Sequence, residues 1–315
     1  MSSSQRAGIS ENVRDETPAV SVDSPGEKYR RLLALIAGNG SAAVAFSGGV
    51  DSSFLCYAAV EALGGAAIAV TVVSPLLPRS ELENAARTAA AIGIEHITIR
   101  EDEIEDEVAQ NGPRRCYFCK KKEFAAIQQA AGKRGVAVVL DGSNLDDAGD
   151  YRPGLKALEE LGIASPLREA GLTKSEVREL SRRFALPNWD KPASACLASR
   201  IPYGETISRE KLSRVEKAET VLRDFGFRQF RLRSHGDIAR IEAAPEERKK
   251  LFNEAALDAI SQNIKAAGFL YVAFELEGYR SGSLNRTIRK TLPETAESPA
   301  ADNLPPVGTE HTKGT

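Results

Sequence analysis

No apolar run in this 315-residue chain is long enough to span a membrane, so no transmembrane helix is expected. There is no basic block either. Lysine and arginine together number 42 against 44 acidic residues, a net charge of −2, which argues against a broad nucleic-acid footprint. Residues Met1 to Pro25 carry Ser, Glu and Asp but lack the apolar centre of a secretory signal. Cysteine is scarce, with 4 in the chain, and its usage is of the reduced type, so the expected compartment is the cytoplasm. There is no internal repeat and no second Cys-x-x-C that would complete a zinc ribbon.

What is present is globular, at 42% apolar and 27% charged residues, enough for one large domain or two ordinary ones. Residues 1–25 and 288–315 lack apolar periodicity and read as disordered tails. Between them, short runs rich in Val, Ile and Ala (Ala42–Phe46, Ala67–Val73, Ile97–Arg100, Val136–Leu140) alternate with helical segments. This pattern predicts an α/β fold with a doubly wound parallel sheet over residues 26–186. The order then changes to helix (Ser208–Phe225), two strands (Phe227–Ser234, Ile238–Ala243), helix (Pro245–Ala267) and strand (Phe269–Leu276). A smaller α+β domain is therefore expected over 187–287. In doubly wound sheets ligands bind beyond the carboxyl ends of strands.

One such end carries Ser47-Gly48-Gly49-Val50-Asp51-Ser52-Ser53, between a predicted strand and a predicted helix. Two glycines let the backbone approach a ligand. The free amides of a first helical turn favour an anion. Ser47, Ser52 and Ser53 add hydroxyl donors, so the stretch suits phosphates. It lacks the terminal Gly-Lys-Ser/Thr of the Walker loop. Asp51 beside a polyphosphate makes sense with a Mg²⁺ between them. Asp141-Gly142-Ser143-Asn144 ends another strand, and the acids Asp146, Asp147 and Asp150 after it suit either a metal–nucleotide contact or helix capping.

The cysteines divide. Cys56 lies in an apolar helix and reads as core. Cys116 and Cys119 form a Cys-x-x-C at a helix start among cations, a setting that lowers thiol pKa. Cys196 is the third polar-flanked cysteine. Three thiolates suit a cubane iron–sulfur cluster with one open iron, or a zinc site completed by His96 or His235, or no metal. Arg231 and Arg233 share one face of a strand, where paired guanidinium forks suit phosphate or carboxylate, or else cross-strand ion pairs. Glu242 follows on the next strand.

The string SGGVDS resembles the pyrophosphate loop of the ATP pyrophosphatase superfamily, which cleaves ATP to AMP and pyrophosphate. Together, SGGVDSS, DGSNLDDAGDYRPG, KPASACLASRIPYG, RLRSHGDIARIE and GYRSGSLN resemble the LarE family across residues 26–287. That family inserts sulfur into a pyridinium biscarboxylic acid mononucleotide during nickel-pincer cofactor synthesis. The resemblance implies that ATP adenylylates a substrate carboxylate and that sulfur then displaces AMP. It implies that Ser47, Gly48, Gly49, Asp51, Ser52 and Ser53 hold ATP, with Asp51 on Mg²⁺. Arg231 and Arg233 would take the substrate phosphate or a carboxylate, and Glu242 a metal or substrate. Cys116, Cys119 and Cys196 would hold a [4Fe-4S] cluster, as in the three-cysteine type. In the single-cysteine type, the residue matching Cys196 gives up its own sulfur. Trp189, Lys191 and Arg200 lie in the matching stretch without an assigned role. The implied partners are the nucleotide substrate, other enzymes of the pathway and further copies of the chain, with no nucleic acid and no membrane.

Three other readings use the same motifs. An iron–sulfur tRNA thiolase needs an RNA-binding surface, which the charge balance does not supply. An ammonia-fed amidotransferase-type synthetase has no use for the three cysteines. An iron–sulfur sensor would bind nucleotide without turning it over.

Overall fold

The computed structural model describes residues 23–149 and 153–280. The Asp150-Tyr151-Arg152 part of the acidic loop, the GYRSGSLN string beyond Arg280, the C-terminal tail and nearly all of the N-terminal one lie outside the described residues.

The first helix, α1, spans Pro25–Ala37. Ser24 caps the Glu27 amide while the Glu27 side chain accepts from the Ser24 amide, and Pro25 occupies the first turn. Such reciprocal capping is worth about 1 kcal/mol. Strand β1 (Ala42–Ala45) leads into α2 (Val50–Leu63). Then come β2 (Ala67–Val73), α3 (Arg79–Ile92), β3 (Glu95–Arg100), the short α4 (Asp106–Ala109), α5 (Arg115–Lys133) and β4 (Val138–Leu140). The four strands form a parallel sheet in the order β3-β2-β1-β4. Chain order reverses direction at β1, which opens a crevice beyond the carboxyl ends of β1 and β4.

Apolar clusters cover both faces of this sheet. One gathers Leu32, Phe54, Leu55 and Cys56 from α1 and α2, with Leu172 from further along the chain. The other packs Phe124 and Ile127 of α5 on Ile68, Val70 and Val139. Cys56 is fully buried and burial pushes its thiol far up, as expected of a core residue.

Helices α6 (Pro153–Glu160), α7 (Pro166–Glu169) and α8 (Lys174–Arg183) follow. Thr173 and Glu176 form a capping box on α8. Beyond it, α9 (Arg209–Asp224) packs on a second sheet of β5 (Phe230–His235), β6 (Ile238–Ala243) and β7 (Tyr271–Phe274). In it β5 and β6 run antiparallel, and β6 and β7 parallel. The helix expected over Pro245–Ala267 is interrupted. A 3₁₀ turn covers Arg248–Leu251, and α10 (Glu254–Ala266) starts anew where the Asn253 side chain accepts from the Ala256 amide at 3.1 Å. A side-chain cap of this kind competes with helix continuation. The second core also takes in Leu76 and Val108 from the first half of the chain. Among the described residues, no helix is long and apolar enough to cross a membrane.

Candidate active site

The phosphate loop sits at the reversal point between β1 and α2. Gly48 has φ +67°, and a Cβ there would lie 2.8 Å from Ala85 Cα on α3. Only glycine meets both conditions. Gly49 is the N-cap of α2 and gives no side-chain cap, so the first-turn amides remain available to an anion. Ser47 and Ser52 hydroxyls lie 3.1 Å apart, and the Gly49 amide donates to Ser47 Oγ at 3.3 Å. Ser53 Oγ accepts from Asn188 Nδ2 at 2.8 Å. A Cβ on Gly142 would stand 3.1 Å from the Ser52 amide nitrogen, which shows how closely the end of β4 approaches α2.

Asp51 is held from two sides. Asn144 Nδ2 donates to its Oδ1 at 3.3 Å, and Lys174 Nζ pairs with its Oδ2. Asp146 accepts from the Lys174 amide at 2.8 Å, and Asp147 accepts from the Asn144 amide at 2.9 Å. These two acids therefore cap and brace; Asp146 serves α8 rather than the helix that directly follows it.

The segment after α8 connects this loop to the cysteines. Asn188 Nδ2 and Lys191 Nζ both donate to the Gly48 carbonyl, at 3.1 and 3.0 Å, and Lys191 also pairs with Glu81 at 2.8 Å. A few residues on, the Leu197 amide donates to the Leu76 carbonyl at 2.9 Å. Cys196 caps the 3₁₀ turn Leu197–Arg200. Arg200 donates to the Ala195 and Cys196 carbonyls at 2.7 and 3.0 Å and pairs through Nε with Glu219 at 2.8 Å. The turn carrying Cys196 is thus set by a buried guanidinium. Trp189 is partly exposed, with Arg182 over its ring.

Cys119 and Cys196 pack against one apolar core and line one cavity. Burial pushes the Cys119 thiol up to about 12, with Glu123 and then Cys196 adding to the effect. This reverses the expected lowering at Cys119, because desolvation there outweighs the neighbouring Lys120. Arg115 on α5 donates to the Ala198 carbonyl at 3.0 Å. Burial opposes its charge, yet Cys196 and Cys116 beside it hold the guanidinium above its ordinary value. Among the described residues, no group of three or more His, Cys, Asp or Glu is placed to hold a single metal ion. His96 Nε2 is instead 2.8 Å from Thr71 Oγ1, and His235 closes β5.

Arg231 and Arg233 are buried rather than solvated. Arg231 donates to the Ala193 carbonyl and Arg233 to the Ser199 carbonyl, each at 2.6 Å, so both hold the Cys196 segment. Arg233 also pairs with Glu242 at 2.9 Å, and Glu242 with Arg240 at 2.8 Å. Desolvation, followed by the charge of Arg200, holds Arg231 below the usual guanidinium range.

The sequence pattern of the asparagine synthase family matches residues 36–144, the part that contains the phosphate loop. A pyridinium-3,5-bisthiocarboxylic acid mononucleotide synthase of Lactiplantibacillus plantarum is 39% identical over 252 residues, covering 78% of this chain and 90% of the relative. The chain belongs to this synthase family. An uncharacterized protein of Synechocystis sp. is 46% identical over 250 residues, 79% of this chain and 93% of that protein. More distantly, a glutamine-hydrolyzing GMP synthase of Aeropyrum pernix is 26% identical over 225 residues, 64% of this chain and 43% of the relative. The chain is thus an enzyme of the ATP-pyrophosphatase class with a parallel α/β nucleotide domain.

Within this synthase-family chain, Ser47, Gly48, Gly49, Asp51, Ser52 and Ser53 lie together where β1 passes into α2. Cys116, Cys119 and Cys196 form a neighbourhood of their own, and Arg231, Arg233 and Glu242 stand behind the Cys196 turn. Sequence reasoning placed Asn144 at a ligand-binding strand end but missed Lys174 and Asn188. The Thr173–Glu176 capping box marks the start of α8, but nothing local to Lys174 indicates that this start faces Asp51. Gly48→Ala should lower ATP-dependent pyrophosphate release about tenfold or more by shifting the loop off α3. A pyrophosphate assay alongside circular dichroism checks it; unchanged turnover would show that the loop tolerates the shift.

Proposed function

We propose that this chain is an ATP-dependent sulfurtransferase. It adenylylates carboxylates of pyridinium-3,5-biscarboxylic acid mononucleotide and converts them to thiocarboxylates, the ligand groups of a nickel-pincer cofactor. The observation that carries the reading is the single segment from Asn188 to Arg200. It braces the phosphate loop through Asn188 and Lys191 and presents Cys196 a few residues later. Activation and sulfur delivery thereby share one support, which fits the product named for the Lactiplantibacillus relative.

In this reading the α2 amides and the serine hydroxyls receive the ATP phosphates, and Asp51 would hold Mg²⁺. One carboxylate together with phosphate oxygens is a normal donor set for that ion. Lys174, next to Asp51 at the mouth of α8, offsets charge growing on the leaving pyrophosphate. A substrate carboxylate oxygen attacks the α-phosphorus, and pyrophosphate departs. Sulfur then attacks the acyl carbon as the C–O bond to AMP breaks. Arg231 and Arg233 bind the substrate phosphate or a carboxylate by exchanging the Ala193 and Ser199 carbonyls for it, and Glu242 keeps Arg233 oriented.

Two sulfur sources suit these residues. Cys196 can attack as thiolate. Removal of its Cα proton then breaks Cβ–Sγ, which leaves dehydroalanine in the chain and the sulfur on the substrate. The donor set of Cys116, Cys119 and Cys196 is three thiols, the ligand type and number that would suit a [4Fe-4S] cluster. When bound, that cluster would supply an iron able to carry exogenous sulfide.

The test is a mass spectrum of protein and nucleotide after an anaerobic reaction with Mg-ATP, the biscarboxylate mononucleotide and sulfide. A thiocarboxylate formed over several turnovers with unchanged protein mass supports the cluster route. A thiocarboxylate accompanied by loss of H₂S from Cys196 supports the sacrificial one. Failure of sulfur to enter the nucleotide with reconstituted protein overturns the reading, and tRNA becomes the next substrate to try.

A further inference from the structure

The cavity that reaches Cys119 and Cys196 measures about 130 Å³ and is walled mainly by apolar groups, among them Leu76 and Val108. It lies between the loop after β2, the acidic stretch after β3, and α5. Among the described residues, none of the phosphate loop lines it. Glu101, Glu105 and Lys122 do line it. The same three also line a second, open depression on the outer side of α5, beside Phe118 and Gln129. They therefore stand where the inner cavity meets the surface. Lys122 Nζ bridges Glu101 at 3.2 Å and Glu105 at 3.4 Å. Partly exposed ion pairs of this kind are weak and open readily. Glu103 and Glu123 add two more carboxylates to the lining, so the passage carries net negative charge.

Such a passage has a clear selectivity. It is too small for a nucleotide. Its carboxylates repel anions such as ATP, the biscarboxylate substrate and hydrosulfide. A small neutral molecule passes both barriers, and hydrogen sulfide, which titrates near neutrality, is one that brings the required atom. We propose that this cavity is the entry route for the sulfur donor, taken in as neutral hydrogen sulfide, with the Lys122 pairs to Glu101 and Glu105 latching its outer mouth. The proposal rests on the sulfurtransferase reading with exogenous sulfide as the sulfur source. It separates the sulfur entrance from the phosphate-loop face. The chemistry needs no oxidant: sulfur forms its bond to the acyl carbon, AMP leaves with the electron pair of the broken C–O bond, and the sulfide protons pass to buffer.

The first test needs no turnover. The full chain is treated with methyl methanethiosulfonate, which is neutral, or with its anionic 2-sulfonatoethyl analogue, and labelling is followed by peptide mass spectrometry. Cys116, which does not line the cavity, serves as the internal reference. At Cys119 and Cys196 the neutral reagent should lead by about tenfold or more relative to Cys116. Val108→Trp, which fills the cavity, should remove that lead. Paired Glu101→Gln and Glu105→Gln substitutions, which lie at the surface and spare the core, should raise the rate of the anionic reagent. Equal rates for both reagents in the parent protein, or rates that neither variant alters, overturn the entry route. In the second test, reconstituted Val108→Trp should show a raised KM for sulfide with unchanged substrate-dependent pyrophosphate release. Absence of that release in the parent protein would overturn the sulfurtransferase reading instead, while the labelling result still decides the route.

Discussion

Cys196→Ala should abolish sulfur transfer while substrate-dependent pyrophosphate release stays within about twofold of the parent protein. The geometry separates the two half-reactions. In the proposed reaction, adenylylation draws on the α2 amides, Asp51 and Lys174, and none of their hydrogen bonds or ion pairs involves the Cys196 thiol. The Cys196 turn is held through its backbone: the Cys196 carbonyl accepts from Arg200 at 3.0 Å and from Ser199 Oγ at 2.8 Å. Alanine keeps both bonds and removes only Sγ. The measurement is parallel quantitation of pyrophosphate and thiocarboxylate over one preparation. Full transfer by the variant would sink both sulfur sources at once, since each depends on this thiol. Loss of both products would mean that the turn also shapes the adenylylation site.

Arg200→Leu should be the most destabilising single change near the site, by about 3–5 kcal/mol. Arg200 and Glu219 are each 3% exposed and meet in two hydrogen bonds, at 2.8 and 3.1 Å. Removing the guanidinium strands a buried carboxylate whose remaining partners are the Leu232 amide at 3.2 Å and Arg223 at 3.9 Å. It also frees the Ala195 carbonyl and leaves the Cys196 carbonyl to Ser199 alone. A fall of about 10 °C in Tm is expected from a change of this size. The double variant Arg200→Met, Glu219→Leu should recover most of that fall, because replacing a buried pair with apolar groups is often neutral. It should not recover sulfur transfer, since the Ala195 and Cys196 carbonyls still lack the guanidinium that orients them. An unchanged Tm in the single variant would show that the pair contributes nothing to stability.

Several features were legible from residues close together in the chain. An apolar run, two glycines and a helix start specify the phosphate loop, because φ at Gly48 and free first-turn amides are local properties. Reciprocal capping at Thr173–Glu176 is another, set by atoms three residues apart. The alternation of Val- and Ile-rich runs with helical segments predicted a parallel sheet, since only strands buried on both faces read that way. The same local reasoning failed over Pro245–Ala267, where Asn253 caps a new helix inside the predicted one.

Tertiary structure decided the rest. Lys174 and Asp51 are separated by 123 positions, and Lys191 and Gly48 by 143. Their pairing follows from strand order, which places β4 and the segments after it beside β1. Burial is equally non-local. It turned Arg231 and Arg233 from a solvated strand face into supports of the Cys196 segment, and it raised the Cys119 thiol in a sequence context that favours thiolate. The sequence by itself determined which chemical groups are available, because backbone freedom, capping and donor type belong to each residue and its neighbours. Which of those groups meet, and how far water is excluded from them, was decided by packing of the two sheets, since desolvation and contact depend on atoms far apart in the chain.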